Sequence, residues 1–591
     1  MFEPHDRLTQ LSELALRWQK LLQDQLQRRA RGDAKVQIPD PQSVQQAFEA
    51  LWRVVLEQPE PMWRAQLRFW QDYVALSQQT WQHFWLGSQL GGPQADKRFK
   101  DDLWTSNQVF GFVKETYLLA SRHIQDSVAE VDGLDKATAQ RVQFYTRQFV
   151  DALAPSNFLA TNPAALKATV ESGGENLIKG FAHLLEDLER NDGRLMPRMT
   201  DLDAFRLGEN VATTEGAVVF QNDLMQLLQY APLTPKVGQT PLLIVPPWIN
   251  KFYILDLKPK NSLIRWLTEQ GHTVFVISWV NPGEAHRDKH FEDYMREGIL
   301  AALDAITAAT GERAVNAAGY CIGGTLLAAT LAYMAAGKDK AYPASRIASA
   351  SFFTTMIDFS EPGELGVFVD EPQLASLDAY MDQKGYLEGH QMAGVFNMLR
   401  ENDLIWHFVV NNYLLGREPM PFDLLYWNCD STRMPAAMHR FYLHKMYHEN
   451  ALREPGGITL GGVAIDVRRI ETPAYFISAR EDHIAPWQST YAGARLLGGP
   501  VRFVLGGSGH IAGIVNPPTA GKYGYASNPE LPASPAAWLA ASRSHEGSWW
   551  PDWLQWLRDF GGKSVPARQP GSGKLPVLEP APGSYVRQRL A

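Results

Sequence analysis

Cys321 lies in the run Gly319-Tyr320-Cys321-Ile322-Gly323-Gly324 and is one of only two cysteines in 591 residues. An apolar run ends at Ala318, and a helix-like run follows over 325–336. A nucleophile at the tip of a sharp strand-to-helix turn needs neighbours with almost no side chain two residues either side, which Gly319 and Gly323 supply. The following helix turns its positive end toward the sulfur and favours thiolate over thiol, and the N–H of Ile322 is a candidate oxyanion donor. Taken alone, the pattern also fits a buried structural thiol beside a tight turn.

A catalytic thiol needs a base and a group that orients the base. Asp482 follows the apolar run 474–478, and His510 follows the run 501–505 in Gly506-Gly507-Ser508-Gly509-His510. Nucleophile, acid and histidine in that order at strand ends predict a triad of Cys321, Asp482 and His510. Asp358 also follows a strand and is the rival acid. His483 abuts Asp482 and reads as local packing, and Cys429 reads as a structural thiol. A second oxyanion donor is expected from Pro246-Pro247-Trp248-Ile249-Asn250, where the prolines have no N–H, so Trp248 or Ile249 must donate. Sulfur also points to a class of reaction. A thioester acyl-enzyme stays activated, so the acyl group can come from another thioester and still pass to a hydroxyl, which favours acyl transfer over hydrolysis.

Parallel strands must position these groups. Short apolar runs at 241–245, 273–277, 315–318, 349–355, 474–477 and 501–504 read as buried strands, with helices such as 262–269 and 291–308 between them. That alternation predicts a mostly parallel sheet covered by helices, with the chemistry past the strand C-termini. Residues of about 366–453 contain no good strand and many aromatics, the mark of a helical cap inserted over the site. An aromatic helix over 549–560 and an extended Pro-rich surface tail over 566–582 end the fold.

The chain before about residue 208 is helical in pattern, with turn signals at Gly32-Asp33, residues 39–41, Gly87, Gly91-Gly92-Pro93 and Gly173-Gly174. Trp63, Trp70, Trp81 and Trp85 share one helical face. That stripe is either the core face of a bundle or a surface that docks on a partner helix or a lipid-like phase. The expected domains are therefore 1–207, helical, and 208–591, catalytic with the cap.

Composition narrows the partners. With 56 Lys and Arg against 64 Asp and Glu, net charge −8, nucleic acid is an unfavourable partner. The run Arg28, Arg29 and Arg31 reads as a solvated helix end. Two cysteines fit a reducing compartment. Residues 1–10 are polar with no apolar signal segment, and no apolar run has membrane-spanning length, so a cytoplasmic protein is expected.

Five ordered motifs carry a resemblance. They are the run from Val245-Pro246-Pro247-Trp248 to Asp256-Leu257, the elbow 319–324, the stretch from Phe352-Phe353-Thr354-Thr355 to Phe359, the box Glu481-Asp482-His483-Ile484-Ala485-Pro486-Trp487, and the loop 506–511. With Arg98-Phe99-Lys100-Asp101 and Ala154-Pro155-Ser156-Asn157-Phe158, the chain resembles the polyhydroxyalkanoate synthases, nearest their class I. The resemblance implies an α/β-hydrolase fold with an inserted helical cap behind a mainly helical N-terminal domain. It implies polymerisation of short-chain (R)-3-hydroxyacyl-CoA into a polyester with release of CoA, through acylated Cys321 with His510 and Asp482. It also implies a homodimer on cytoplasmic polyester granules, with granule proteins as further partners. No cofactor or metal is expected, since CoA is part of the substrate and a product. Asn250 and Arg400 are candidates to hold CoA or position the cap, and an ion pair of Arg400 with Glu401 or Asp403 is the alternative. The competing reading is a Cys-dependent thioester or polyester hydrolase of the same fold, and a third is a noncatalytic granule scaffold.

Overall fold

The computed structural model describes residues 4–30, 39–86 and 96–589. Arg31, Gly32-Asp33, Gly87 and Gly91-Gly92-Pro93, with the first three residues of the polar start, lie outside the described residues, as do the side chains of Arg28 and Arg29. The chain forms two compact units, one of Met1–Asp201 with Gly394–Pro421, the other of Leu202–Ala393 with Phe422–Ala591.

The sheet unit is built on eleven strands: β1 (Gly216–Gln221), β2 (Met225–Tyr230), β3 (Leu242–Val245), β4 (Val274–Trp279), β5 (Val315–Tyr320), β6 (Ile347–Phe353), β7 (Ala474–Ala479), β8 (Val501–Gly506), β9 (Tyr525–Asn528), β10 (Arg543–His545) and β11 (Glu579–Pro580). Their order across the sheet is β10-β9-β8-β7-β6-β5-β3-β4-β2-β1-β11. The six strands from β8 to β4 in that order pair in parallel, and the flanking pairs are antiparallel. Every residue of β3, β4, β5 and β7 is buried, as expected where helices cover both faces of a parallel sheet and the strands read as unbroken apolar runs. One core under the sheet joins Leu242, Val276 and Ile477 to Trp549, Trp550 and Trp553 of the C-terminal helix Trp550–Arg558 and its cap. This is the α/β-hydrolase arrangement expected from the sequence. The Pro-rich tail does more than lie on the surface, because β11 adds an edge strand on β1, with Ala217 opposite Pro580.

The helical unit has its own buried junction. Arg98 donates from Nη1 to Tyr117 Oη (2.9 Å) and Asp151 Oδ1 (2.6 Å), and from Nη2 to Asp96 Oδ2 (2.8 Å). Asn157 Nδ2 donates to the Asp151 carbonyl at 2.9 Å, so the two helical-region motifs meet at one residue. Residues 394–421, expected to belong to the cap, pack with this unit instead. Amide side chains stitch them in: Gln148 Nε2 donates to Met398 O (2.9 Å), Asn176 Nδ2 to Leu414 O (2.7 Å) and Asn412 Nδ2 to Arg198 O (2.7 Å). Gly180 lets the backbone of Tyr413 approach so closely that a Cβ there would lie 1.9 Å from the Tyr413 carbonyl oxygen.

The tryptophan stripe lies on helix Glu60–Leu86. That helix packs through Ala65, Phe69 and Tyr73, with Phe69 at 4.9 Å from the His123 ring and Tyr73 at 6.5 Å from Phe112. Trp63, Trp70, Trp81 and Trp85 are 68, 53, 64 and 78 % exposed, so the stripe is a surface and not a core face of this chain. No helix among the described residues is long and apolar enough to cross a membrane.

Candidate active site

Cys321 sits between β5 and helix Ile322–Ala335 with φ 53° and ψ −125°, a left-handed backbone that costs a non-glycine residue free energy and is held only by its surroundings. Cys321 N–H donates to Phe353 O at the end of β6 (2.9 Å), and its carbonyl accepts from the N–H groups of Gly324 (2.9 Å) and Thr325 (3.2 Å). The glycines are there for close approach. A Cβ on Gly319 would meet Gly324 Cα at 2.4 Å, and one on Gly323 would meet the carbonyl oxygens of Val245 at 2.2 Å and Pro246 at 2.7 Å. The second contact also places the loop after β3 directly against the elbow.

His510 and Asp482 arrive from the ends of β8 and β7. His510 Nδ1 lies 2.7 Å from Asp482 Oδ2, and Asp482 Oδ1 accepts the N–H groups of Ile484 and Ala485, both at 2.9 Å. The two loops are tied by Glu481 N–H on Ser508 O (2.9 Å). His510 is further held by its own carbonyl, which accepts from Tyr320 Oη at 2.9 Å, and the Tyr320 ring stacks on the imidazole at 5.7 Å. Just beyond, the indoles of Trp549 and Trp550 donate to Gly513 O and Ile514 O, each at 2.9 Å.

Asp482 takes Nδ1 of the imidazole, which leaves Nε2 as the ring nitrogen available to the sulfur of Cys321. Burial opposes its protonation, but the charges of Asp482 and Cys321 and the hydrogen bond to Asp482 outweigh burial and raise its pKa to about 10. The arrangement can keep a protonated imidazole close to a cysteine sulfur, the pairing that a sulfur nucleophile needs.

Asp358, the rival acid, is committed elsewhere. Its Oδ1 accepts from Ser360 N–H (2.8 Å), the Ser360 hydroxyl and Asn450 Nδ2 (3.0 Å), and its Oδ2 from Arg453 Nη1 (2.8 Å). Burial works against its charge, but the Ser360 and Asn450 hydrogen bonds and Arg453 hold its carboxyl below the ordinary range. His483 uses its carbonyl to accept Glu364 N–H at 3.1 Å. Cys429 is half-buried at the end of helix Asp423–Asn428.

Ile322, first residue of its helix and buried, has no intrahelical acceptor for its N–H. The loop 246–250 is fixed from behind. Trp279 Nε1 donates to Pro246 O (2.9 Å), and Thr432 Oγ1 donates to Trp248 O (2.5 Å) and Ile249 O (2.8 Å). Asn250 bridges to Ser431, and buried Lys251 binds Asp430 Oδ1 (2.7 Å) and the carbonyls of Val586 and Gln588, both at 2.9 Å. Arg400 lies in the helical unit and donates to Asp403, the ion-pair alternative foreseen for it.

Sequence reasoning missed Tyr320 as the tether of the histidine loop, and missed Thr432, Asp430 and the chain near Val586 as the backing of the loop 246–250. Tyr320 carried one signal, since a bulky tyrosine beside a nucleophile in a strand of small residues must be filling or bonding something. The others act across more than 170 positions and have none.

Two family models match the chain. One, described as the poly-beta-hydroxybutyrate polymerase (PhaC) N-terminus, covers residues 95–267, and one for the alpha/beta hydrolase fold covers 240–517. A poly(3-hydroxyalkanoate) polymerase of Methylorubrum extorquens is 51% identical over 538 residues, 90% of this chain and 88% of that protein. The poly(3-hydroxyalkanoate) polymerase subunit PhaC of Rhizobium meliloti (strain 1021) is 51% identical over 494 residues, covering 84% and 80%. The PhaC subunit of Cupriavidus necator is 43% identical over 539 residues, covering 90% and 89%.

Proposed function

The chain belongs to the poly(3-hydroxyalkanoate) polymerase family, an acyltransferase family, and on that footing we propose that it polymerises (R)-3-hydroxyacyl-CoA through an acylated Cys321. The observation that carries this reading is the 2.7 Å pairing of His510 Nδ1 with Asp482, set against a sulfur on a strained elbow. In the first half-reaction the thiolate attacks the carbonyl carbon of the monomer thioester, and the oxyanion rests on the N–H groups of Ile322 and Ile249. The bond to CoA sulfur breaks, and CoA leaves with the proton held by His510. In the second, neutral His510, oriented by Asp482, takes the proton of a 3-hydroxyl as its oxygen attacks the acyl carbon. An ester forms, the bond to Cys321 breaks, and the thiolate is restored beside the imidazolium.

The short-chain preference, the homodimer, cytoplasmic granule association and granule-protein partners belong to the same proposal. The exposed tryptophans of helix Glu60–Leu86 support a docking surface on the helical unit. Asn250, next to the oxyanion loop, stays a candidate contact for CoA, whereas the pairing of Arg400 with Asp403 favours a structural role there.

The test is to supply purified protein with (R)-3-hydroxybutyryl-CoA. Turbidity rising with free CoA, and an acyl group mapped by mass spectrometry to Cys321, are the expected results. A clear solution holding only free hydroxy acid would establish the hydrolase reading, and undiminished CoA release by Cys321→Ala would leave only the scaffold role for this site.

A further inference from the structure

One peptide of the loop after β3 is held by a single hydroxyl. Buried Thr432 donates from Oγ1 to Trp248 O at 2.5 Å, and Ile249 O at 2.8 Å shares the same hydrogen. A peptide group is planar, and in the trans form its N–H points opposite to its C=O. The Trp248–Ile249 bond is trans, so with Trp248 O turned to Thr432 the Ile249 N–H is turned away from it. Among the described residues no acceptor takes that N–H, and nothing donates to the carbonyl of Pro247. The peptide that carries the Trp248 N–H therefore lacks a comparable hold. Of the two candidate donors in this loop, only Ile249 has its direction fixed by a hydrogen bond.

A hydroxyl can aim a peptide only if it is itself fixed. On one flank of Thr432, Asp430 binds Lys251 Nζ at 2.7 Å and accepts from Tyr253 Oη at 2.9 Å. On the other, Arg433 donates from its N–H to Asn281 Oδ1 (3.0 Å) and from Nε to Glu388 Oε2 (3.1 Å), and its guanidinium lies 4.7 Å over the Tyr386 ring. The start of the loop is fixed independently. A Cβ on Gly323 would meet Val245 O at 2.2 Å and Pro246 O at 2.7 Å, so those residues lie against the elbow helix. Pro246 O also accepts from Trp279 Nε1, whose ring lies so close to Gly298 that a Cβ there would come within 2.4 Å of it. With both ends held, the rotation of the Trp248–Ile249 peptide is set by Thr432.

We propose that Thr432 is a positioning residue whose hydroxyl turns this peptide so that the Ile249 N–H meets the oxyanion formed when Cys321 is acylated and again when the ester forms. Thr432 touches no reacting atom and moves no proton. It acts from 183 residues beyond Ile249, on a stretch expected from the sequence to belong to the cap. This inference rests on the reading of Cys321 as the acylated nucleophile.

The experiment compares two reactions of the same sulfur. Turnover of (R)-3-hydroxybutyryl-CoA passes through an oxyanion, whereas iodoacetamide loses iodide from a saturated carbon and forms none. Thr432→Val keeps the shape of the side chain and removes the hydroxyl. It is expected to lower kcat by about 10- to 100-fold with KM within about threefold, while the labelling rate of Cys321, mapped by peptide mass spectrometry apart from Cys429, stays within about twofold. Thr432→Ser restores the donor and is expected to return kcat to within about threefold of the parent protein. Undiminished kcat in Thr432→Val overturns the proposal. Labelling that falls in step with kcat also overturns it, because the damage would then lie at the thiol, and so does a serine variant as slow as the valine one. If Thr432→Val does not fold, Thr432→Ala is read by the same criteria. Failure of the nucleophile reading is separate, and would show as full turnover in Cys321→Ala.

Discussion

The hydroxyl of Tyr320 donates to the backbone carbonyl of His510 at 2.9 Å, so the residue next to the thiol holds the loop that carries its base. Tyr320→Phe leaves that buried carbonyl without its donor, at a cost of about 1–3 kcal/mol. Because the imidazole is then set less firmly against the sulfur, turnover is expected to fall by roughly one to two orders of magnitude. Urea unfolding and CoA release measured on the same preparations check both. Loss of stability with unchanged kcat would make the bond purely structural.

Replacing either carboxylate separates chemistry from scaffolding. Asp482→Asn is expected to lower kcat by about four orders of magnitude, because the amide cannot hold the imidazole in the required state. Asp358→Asn is expected to keep turnover and lose about 1–3 kcal/mol of stability, because it weakens the bonds to Ser360, Asn450 and Arg453. The sign on pH comes from its lowered pKa: the stabilisation is present above the unfolded carboxyl value and disappears as pH falls through the folded one. Acid unfolding below about pH 4 should therefore be blunted in Asp358→Asn. A large kcat loss in that variant alone would transfer the acid's role to it.

His510 keeps its proton to about pH 10, with burial opposing and Asp482 and Cys321 favouring the charged form. Since the protonated ring supplies the proton to departing CoA, kcat/KM should hold through neutral pH and fall on the alkaline side near that value. Asp482→Asn removes the leading favourable charge, so its alkaline limb should appear at lower pH. Stopped-flow CoA release across a pH series provides the comparison. A limb fixed at one pH in both proteins would belong to another group.

In the helical unit, Asp151→Ala takes one of its two carboxylate partners from Arg98, whose side chain is only 19 % exposed. Breaking a pair this enclosed should cost about 3 kcal/mol. Thermal unfolding should register it, while the labelling rate of Cys321 stays that of the parent protein. Wild-type stability would mean that Asp96 alone satisfies Arg98.

The reacting groups were legible because buried parallel strands leave unbroken apolar runs, and the loop residues just past each run must lie at the same edge of the sheet. Cys321, Asp482 and His510 are such residues. The antiparallel strands β1 and β2 were not read, for they mix glutamines with apolar residues. The grouping of 394–421 was invisible for another reason: Asn176 and Gln148 bind backbone carbonyls, and a carbonyl has no sequence identity. Tryptophan spacing showed that Trp63 and Trp85 share a helix face but said nothing about which way it turns.

The grip of Lys251 on the carbonyls of Val586 and Gln588 joins positions 335 and 337 residues apart. The intervening run 571–574 is exposed but pinned, with Lys574 N–H on Ala308 O at 3.0 Å, so a protease reaches it only where that contact opens. A single cut there would free the segment that holds Lys251 and so unfasten the wall behind Ile249. Preparations that lose specific activity on storage while looking intact should be weighed by mass spectrometry, and an undamaged C-terminal peptide in an inactive sample would rule this route out.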